Sequence, residues 1–143
     1  MKPKNSFTMK LYSRSCNESF ARTAVASFIA QLDPTLEEIN DIKTAVSEAV
    51  TNCIVHGYKD KFGYIFITVK IIDDHSVTIM IRDKGCGIED IKLAMQPLYT
   101  TAGDERAGLG FAVMQSFMDK VSVRSTVGKG TSVSFKKILT EKA

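Results

Sequence analysis

Five stretches of the chain carry the residue patterns of β-strands, either alternating apolar and polar residues or runs of β-branched and aromatic residues. They are residues 6–13, 64–72 and 76–82, followed by the segments "VSVRST" and "TSVSFKKIL". Short polar turns separate the second stretch from the third and the fourth from the fifth. The sequence therefore predicts one strand near the start and two β-hairpins.

Apolar residues recur at helical spacing in the segments between these strands. Asn17 can cap a first helix, and Thr35 and Glu38 have the spacing of a capping box that opens a second helix. The second helix is expected to run to about residue 56 and to stop at Gly57. A short helical piece is expected over residues 88–96 and a third long helix over residues 109–119, with a polar loop between them.

The order of these elements predicts an α+β fold. Strands paired in hairpins, with the helices apart from them in sequence, favour a two-layer sandwich over a parallel doubly wound sheet. We expect a mixed, mostly antiparallel sheet with the helices on one face. At 143 residues, the chain has the length of one domain spanning residues 1–143.

Composition and charge exclude several classes of function. The hydrophobic content of 44% and the charged content of 24% are ordinary for a globular protein. The net charge of +3 is not gathered into a basic stripe along the sequence, so no direct nucleic-acid partner is expected. No apolar run is long enough to span a membrane, and the first residues lack the apolar core of a signal peptide, so we expect a cytoplasmic protein.

The cysteines and histidines do not indicate a metal centre. The chain has three cysteines, an odd number without CxxC spacing, which favours a reduced protein without a disulfide framework or zinc site. His56 and His75 are isolated from one another and from other ligands in the sequence. Both are better explained as residues of a helix end and a turn.

The second predicted helix contains two polar residues in an otherwise apolar half. Glu48 and Asn52 are four residues apart and therefore project from the same face. A carboxylate on such a face is costly unless it meets a charge, a metal or a water-filled cleft. An exposed polar stripe, extended by Ser47 and Thr51, is an equally good explanation of this pair by itself.

Two further segments contain pairs of glycines near polar residues. Asp83 ends a predicted strand and precedes Gly85 and Gly87, an arrangement that is either an ordinary turn or a carboxylate able to accept a hydrogen bond from an exocyclic amine. Gly108 and Gly110 lie at the start of the third long helix, where backbone N–H groups favour phosphate oxygens, although a loop and helix cap also explain them. Leu109 stands where a P-loop requires lysine, so a Walker-type site is excluded.

The order of these segments resembles the GHKL ATP-binding family. That family has an E-x-x-x-N helix, then D-x-G-x-G, a variable loop, G-x-G opening a helix, and finally G-T. The matching segments here are "EAVTN", "DKGCGI", "AGLGF" and "KGT". Within the family, the whole chain resembles the bacterial anti-sigma factor kinases, in particular those of sporulating bacteria.

The resemblance implies a role for each of these residues. Asn52 would ligate Mg²⁺ and Glu48 would be the general base. Asp83 would accept from the adenine amine, supported by Thr131 through its hydroxyl or a shared water. Gly85 and Gly87 would admit the edge of the ring, Gly108 and Gly110 would cradle the phosphates, and residues 98–107 would form the ATP lid. The small molecules bound would be ATP or ADP with Mg²⁺.

The resemblance also implies the partners. The protein would be a homodimer that holds a sporulation sigma factor inactive when ATP is bound. It would phosphorylate a serine of an anti-anti-sigma partner, a STAS-domain protein. Partner contacts are expected at Arg22, Glu105 and Arg106, each of which could also be a solvated surface charge.

Three other functions remain open at this stage. The chain could be a nucleotide-gated binding module that transfers nothing, although Glu48 would then be unnecessary. It could be a general-stress anti-sigma kinase of the same family. The catalytic fragment of a histidine kinase is the least favoured, because neither His56 nor His75 lies where a phosphoacceptor histidine of a dimerising helix is expected.

Overall fold

The computed structural model of the protein describes residues 2–95 and 106–140, with the side chains of residues 106–109 left out. The strands are β1 (Asn5–Tyr12), β2 (Tyr64–Asp73), β3 (Ser76–Asp83), β4 (Lys120–Thr126) and β5 (Gly130–Ile138). The helices are α1 (Cys16–Ile29), α2 (Leu36–Asn52), α3 (Ile91–Ala94) and α4 (Arg106–Phe117). A 3₁₀ turn at Ala30–Leu32 follows α1, and a π-helical turn at Cys53–Gly57 continues α2.

The strands form a single sheet in the order β1-β2-β3-β5-β4. Every pair of neighbours among the described strands is antiparallel. The prediction of an α+β fold with two hairpins is confirmed, but the sheet is not mixed. The reason is that β3 and β4 run in the same direction without being adjacent, since β5 returns between them and is antiparallel to both.

The core lies between one face of this sheet and the helices. Strand residues of the inward face, such as Ile67, Ile79 and Phe135, are fully or almost fully buried. They form one cluster with Val25 of α1 and Val46 of α2. The apolar residues of the helices thus pack on the apolar residues of the strands, which confirms the prediction that the helices lie on one face of the sheet.

The alternation of side chains along the strands also determines which face of the sheet carries the charged residues. Exposed lysines and arginines occupy outward positions of the strands, whereas Asp73, paired with Ser76 at the end of β2, is the one acidic residue at an outward position of the described strands. The cations are not gathered along the sequence, but strand pairing brings several of them onto one face of the sheet. Residues far apart in the sequence become neighbours across the sheet, which a count along the chain does not reveal.

The start of α1 differs from its prediction. The helix begins at Cys16 after Ser15, and no side chain caps its first turn. Asn17 lies inside that turn, and its side-chain amide donates to the backbone oxygen of Tyr12 at 2.9 Å. Asn17 thus joins α1 to the end of β1 instead of capping the helix.

The capping box that opens α2 is confirmed. The Thr35 hydroxyl accepts from the Glu38 N–H at 3.1 Å, and the Glu38 carboxylate accepts from the Thr35 N–H at 2.8 Å. The second carboxylate oxygen of Glu38 accepts from the backbone N–H and the hydroxyl of Thr140. One buried carboxylate thereby connects the start of α2 to the segment that follows β5.

The two later helices also depart from their predicted bounds. The short helical piece expected over residues 88–96 is a single turn, Ile91–Ala94, capped by Asp90. Helix α4 begins at Arg106, three residues before its predicted start at residue 109. Most of the expected lid, residues 98–105, lies outside the described residues, and so does Glu105. None of the described helices combines the length and apolar character needed to cross a membrane.

Candidate functional site

A cleft of about 800 Å³ opens between the helix layer and the ends of the central strands. Its walls come from α2 and the π-turn, the end of β3 with the loop after it, α3, α4 and β5. Asn52, Asp83, Gly87 and Thr131, four of the residues singled out in the sequence, line it. The fold therefore brings together segments that are separated by up to about eighty residues in the chain.

Asp83 ends β3 at the floor of the cleft, and its side chain is only 8% exposed. Burial raises the pKa of this carboxyl above its ordinary value, although hydrogen bonds from the Gly85 N–H, the Cys53 thiol and the Thr131 N–H act in the opposite direction. The Gly85 N–H donates to Asp83 Oδ1 at 2.9 Å. A buried carboxylate held in this way is suited to accept a hydrogen bond from an amine.

The glycines around Asp83 make room for protein backbone. A Cβ on Gly85 would lie 2.1 Å from the Gly57 carbonyl oxygen, and one on Gly87 would lie 2.4 Å from the Thr126 carbonyl oxygen. Gly87 also has a φ of +79°, which favours glycine. Gly87 lines the cleft, whereas Gly85 allows the loop to pack on the π-turn, and the admission of a ligand by these two glycines stays a prediction.

Gly57 and Cys53 complete the surroundings of Asp83, and the sequence analysis missed both. A Cβ on Gly57 would lie 2.8 Å from Asp83 Oδ2, so only glycine lets the carboxylate lie against this turn. Cys53 is buried. Its burial, and to a smaller extent the negative charge of Asp83, raise the pKa of its thiol well above the ordinary value. The neutral thiol can therefore act as a donor to Asp83.

The π-turn explains why these two residues reach the cleft. The Tyr58 N–H donates to the Cys53 carbonyl oxygen at 2.9 Å, one residue further along than in an α-helix. The wider turn follows directly on Asn52. The predicted stop of the second helix at Gly57 is thus confirmed, but its last turn is π-helical.

Thr131 lies beside Asp83 in the sheet, where the two residues are paired between β3 and β5. Its hydroxyl lies 2.8 Å from Ser125 Oγ, and that same oxygen accepts from the Ile88 N–H at 2.7 Å. Burial raises the pKa of Asp83, whereas the hydrogen bonds from the Gly85 N–H and from the backbone N–H of Thr131 lower it. Support of the adenine contact by the Thr131 hydroxyl or a shared water stays a prediction, and Ser125, which contacts this hydroxyl, was not indicated by the sequence.

Glu48 and Asn52 project from α2 towards α4, one turn apart as their spacing predicts. A Cβ on Gly110 would lie 3.2 Å from both polar atoms of the Asn52 amide and 3.3 Å from Glu48 Oε2. Asn52 lines the cleft, whereas Glu48 is half-buried just outside its described wall. The pair therefore lies where α2 and α4 meet at the edge of the cleft.

The side chain of Asn52 fits a bound phosphate group with its cation. Its amide nitrogen is buried and finds no hydrogen-bond partner among the described residues, so this donor is suited to a phosphate oxygen, while the amide oxygen can ligate a cation. A side-chain amide supplies one hard oxygen ligand, and no group of three or more metal-ligating side chains exists in the described parts of the chain. The residues present thus fit a Mg²⁺ ion held by Asn52, with phosphate oxygens and waters as its other ligands.

The glycines of α4 lie further along the helix than predicted. Because α4 begins at Arg106, Gly108 and Gly110 both lie inside the helix instead of before it. Only the first four N–H groups of a helix are free, so Gly108 can offer one to a phosphate, and the phosphate contact of Gly110 stays a prediction. Gly110 allows α4 to approach Asn52 and Glu48 closely.

Arg22 lies on α1, outside the cleft. Its guanidinium is 3.7 Å from the carboxylate of Glu18, one turn earlier, and that carboxylate accepts a hydrogen bond from the Ser47 hydroxyl on α2. Ser47 immediately precedes Glu48, so the surface at Arg22 is connected to the edge of the site. Arg106 opens α4, and its side chain lies outside the described part.

Comparisons with known proteins show the family to which the chain belongs. A family model described as a histidine kinase-like ATPase domain matches residues 16–137. A protein of Caldanaerobacter subterraneus subsp. tengcongensis named anti-sigma F factor is 59% identical over 97% of both chains. A protein of the same name from Clostridium acetobutylicum is 55% identical over 93% of both chains.

Solved structures share the fold at low sequence identity. The crystal structure of the RsbU and RsbW domains of a Mycobacterium tuberculosis protein matches with a TM-score of 0.70 at 19% identity, covering 96% of this chain and 32% of the other. A histidine kinase domain from Erythrobacter litoralis matches with a TM-score of 0.59 at 20% identity, covering 85% of this chain and 60% of the other. By its sequence matches over nearly the full length, the chain belongs to the histidine kinase-like ATPase family and, within it, to the anti-sigma F factors.

Proposed function

We propose that the protein is an anti-sigma factor and an ATP-dependent protein-serine kinase. It holds a sporulation sigma factor inactive, phosphorylates a serine of a STAS-domain anti-anti-sigma partner, and retains or releases the sigma factor according to whether ATP or ADP is bound. The relatives named anti-sigma F factor support the first part of this proposal. The position of Glu48, one turn from Asn52 at the edge of the cleft, supports the second.

In this proposal the nucleotide lies in the cleft with its adenine at Asp83. The buried carboxylate accepts from the exocyclic amine of adenine, and the walls of the cleft exclude water from one side of the ring. The phosphates extend towards Asn52 and the first turn of α4, where the free N–H groups of the helix and the N-terminal end of its dipole favour negative charge. Mg²⁺ at Asn52 supplies charge neutralisation when bound.

Glu48 is the general base of the proposed transfer. The serine oxygen of the partner attacks the γ-phosphorus, the bond between that phosphorus and the bridging oxygen of ADP breaks, and the serine proton passes to the Glu48 carboxylate. Glu48 is half-buried and lies outside the described wall of the cleft, and in this proposal the serine of the partner approaches Glu48 from outside the cleft. Catalysis then depends on positioning and on charge neutralisation, as in other phosphoryl transfers.

The remaining parts of the proposal concern the assembly. The protein acts in the cytoplasm as a homodimer, and the surface around Arg22 contacts a partner. Arg22 pairs with Glu18, whose carboxylate accepts from Ser47 of α2, so a partner bound at Arg22 would lie beside the helix that carries Glu48. Arg106 and Glu105, at and just before the start of α4, are the proposed second contact.

Replacement of Glu48 by Gln tests the kinase. The glutamine side chain would keep the shape of the glutamate but could not take the proton, so we expect phosphorylation of the STAS partner to fall by about two to four orders of magnitude. ATP affinity should stay within about twofold of the wild type. The rate is measured with γ-labelled ATP and purified partner, and the affinity by calorimetry.

Glu37→Gln is the matched control for this variant, because Glu37 is an exposed residue of the same helix. Full activity of the Glu48→Gln variant would exclude Glu48 as the base. ATP binding without phosphorylation in the wild type would instead support the nucleotide-gated binding module that transfers nothing.

A further inference from the structure

The outer face of the sheet, on the side away from the helices, presents a continuous row of residues across all five strands. In this row Lys10 is paired with Phe66, Phe66 with Arg82, Arg82 with Ser132, and Ser132 with Arg124. Neighbouring strands are about 4.8 Å apart, so the row spans roughly 20 Å. The outer face is thus flat enough and wide enough to hold a polymer.

The charge of this face is predominantly positive. Its cations are exposed and form no ion pair among the described residues. They are Lys10, Lys70, Arg82, Lys84, Lys120, Arg124, Lys129 and Lys136. Asp73, paired with Ser76 at the end of β2, is the one acidic residue at an outward position of the described strands, so the chain's small net charge conceals a strongly basic surface.

Aromatic rings lie among these cations. The Phe66 ring has Arg82 and Lys84 each 5.3 Å from its centroid, and the Tyr64 ring has Lys10 at 4.2 Å. Tyr12 and Phe62, beside Tyr64, are 51% and 66% exposed. The outer face therefore offers both ring surfaces for stacking and cations beside them.

Hydroxyl groups fill most of the positions between the cations. The outward positions of the strands include Thr8, Thr68, Thr78, Ser122, Ser132 and Ser134. Serine and threonine hydroxyls commonly donate to phosphate oxygens beside lysine and arginine. A shallow groove bordered by Phe66, Arg82, Lys84, Arg124 and Lys129 lies at the end of the face nearest Thr131.

The cations, aromatic rings and hydroxyl groups of the outer face distinguish between three possible binding partners. A second copy of the chain bound through the same face would place cations against cations. An acidic protein would satisfy the cations but would give the row of hydroxyls no particular use. A polymer of phosphates and flat bases matches all three residue types, since cations and hydroxyls bind phosphates and aromatic rings stack on bases. We propose that the outer face of the sheet binds single-stranded nucleic acid.

The proposal is independent of the kinase and is tested with a fluorescein-labelled single-stranded oligonucleotide of about twelve mixed nucleotides, within the usual range of single-strand site sizes. Anisotropy is measured with saturating MgADP, so that the oligonucleotide cannot bind through the nucleotide cleft. We expect micromolar binding at low salt, with a slope of log K against log salt of about −3, corresponding to roughly four phosphate contacts. The Arg82→Gln/Arg124→Gln double variant should flatten this slope by about 1.4.

Two further variants make the test specific. Phe66→Ala should weaken binding on the order of tenfold through lost stacking, without changing the salt slope by more than a few tenths. Arg14→Gln/Lys43→Gln removes the same charge from residues outside the outer face and should leave the slope unchanged. Unchanged MgADP binding in all variants shows that they are folded.

Three results would overturn the proposal. The first is equal binding by the wild type and the Arg82→Gln/Arg124→Gln variant. The second is binding to poly-L-glutamate as tight as to the oligonucleotide with the same dependence on Phe66, which would assign the outer face to an acidic protein. The third is preferential binding to anionic lipid vesicles, which would assign it to a membrane surface.

Discussion

At the residue scale, the site depends on side chains that the surrounding structure holds in fixed positions. Asp83 is buried with three donors around it, and Gly57 and Gly85 lack side chains because other atoms occupy those places. A carboxylate placed this way is costly unless a donor meets it, and the proposed adenine amine is such a donor. Asp83 is therefore the residue at which nucleotide specificity should be most sensitive to substitution.

Replacing Asp83 by Asn removes the charge that assists the hydrogen bond from adenine. We expect ATP to bind more weakly by about 1.5–3 kcal/mol, on the order of a tenfold to hundredfold increase in Kd. Calorimetric titration with ATP and GTP measures this, and the wild type should prefer ATP because GTP lacks the amine at that ring position. Asp33→Asn, at an exposed helix end, is the control. Equal affinity of the wild type for GTP and ATP would contradict the adenine assignment.

The same carboxyl should make ATP affinity depend on pH. Burial raises the pKa of Asp83 above its ordinary value of 3.8, so in the free protein this group takes up a proton at a higher pH than an exposed aspartate does. ATP affinity should therefore be constant near pH 7 and fall as the pH decreases towards that raised pKa. Titrations from about pH 7.5 down to acidic pH on the wild type and on Asp83→Asn test this, since the variant should lack the decline.

At the element scale, the start of α2 is fixed by one carboxylate. Glu38 closes the capping box with Thr35 and also accepts from Thr140 after β5. Burial would raise the pKa of Glu38, but the hydrogen bonds from Thr35 and Thr140 outweigh it, so the pKa is lowered. The helix that carries Glu48 and Asn52 is thereby held at its far end to the last strand.

Replacing Glu38 by Gln should destabilise the protein by about 1–2 kcal/mol at pH 7, because the neutral amide has only one acceptor oxygen for these donors. A group whose pKa is lowered by folding stabilises the fold above its unfolded-state pKa, and this contribution disappears as the pH falls through the folded-state pKa. The difference between variant and wild type should thus shrink below about pH 4.5. Urea denaturation at about pH 7 and about pH 3 measures both values.

The exposed neighbour Glu37, replaced by Gln, controls for the effect of a negative charge on the helix dipole. If Glu37→Gln and Glu38→Gln were equally destabilising, the hydrogen bonds of Glu38 would not account for the loss.

The elements show where sequence reasoning succeeds. Strand alternation, the capping box and the four-residue spacing of Glu48 and Asn52 are local properties, and the structure confirms each of them. Cys53 and Gly57 contact Asp83 because they lie in a π-turn, which has no local sequence signal. Gly85 packs against a backbone segment almost thirty residues away, which no local pattern can reveal. The early start of α4 was missed because its first residues, Arg106, Ala107 and Gly108, lack apolar periodicity.

At the scale of the whole molecule, the layers separate charge as well as polarity. The helix layer carries Glu18, Glu37, Asp41 and Glu48, whereas the outward positions of the described strands carry several cations and a single acid, Asp73. A net charge of +3 is the sum of these unequal faces. The sequence contains the alternation from which this separation follows, but the strand order is needed to bring the cations together.

The uneven charge should be measurable without any ligand. Arg82→Gln/Arg124→Gln and Arg14→Gln/Lys43→Gln have the same net charge as one another, yet only the first pair lies on the outer face. On a cation-exchange column we expect the first variant to elute at a clearly lower salt concentration than the second, because a surface binds the face with the highest charge density. Coincident elution would show that the cations do not act together.

The contact between the π-turn and the loop after Asp83 has a consequence for motion. The Cys86 N–H donates to the Gly57 carbonyl oxygen at 2.9 Å, and the Gly128 N–H donates to the Cys86 carbonyl oxygen at 2.8 Å. Neither amide can exchange its proton with solvent until the floor of the cleft separates from the π-turn or from the β4–β5 hairpin. Deuterium uptake at these two amides therefore measures how often the cleft opens, and a bound nucleotide that bridges the same segments should slow both together.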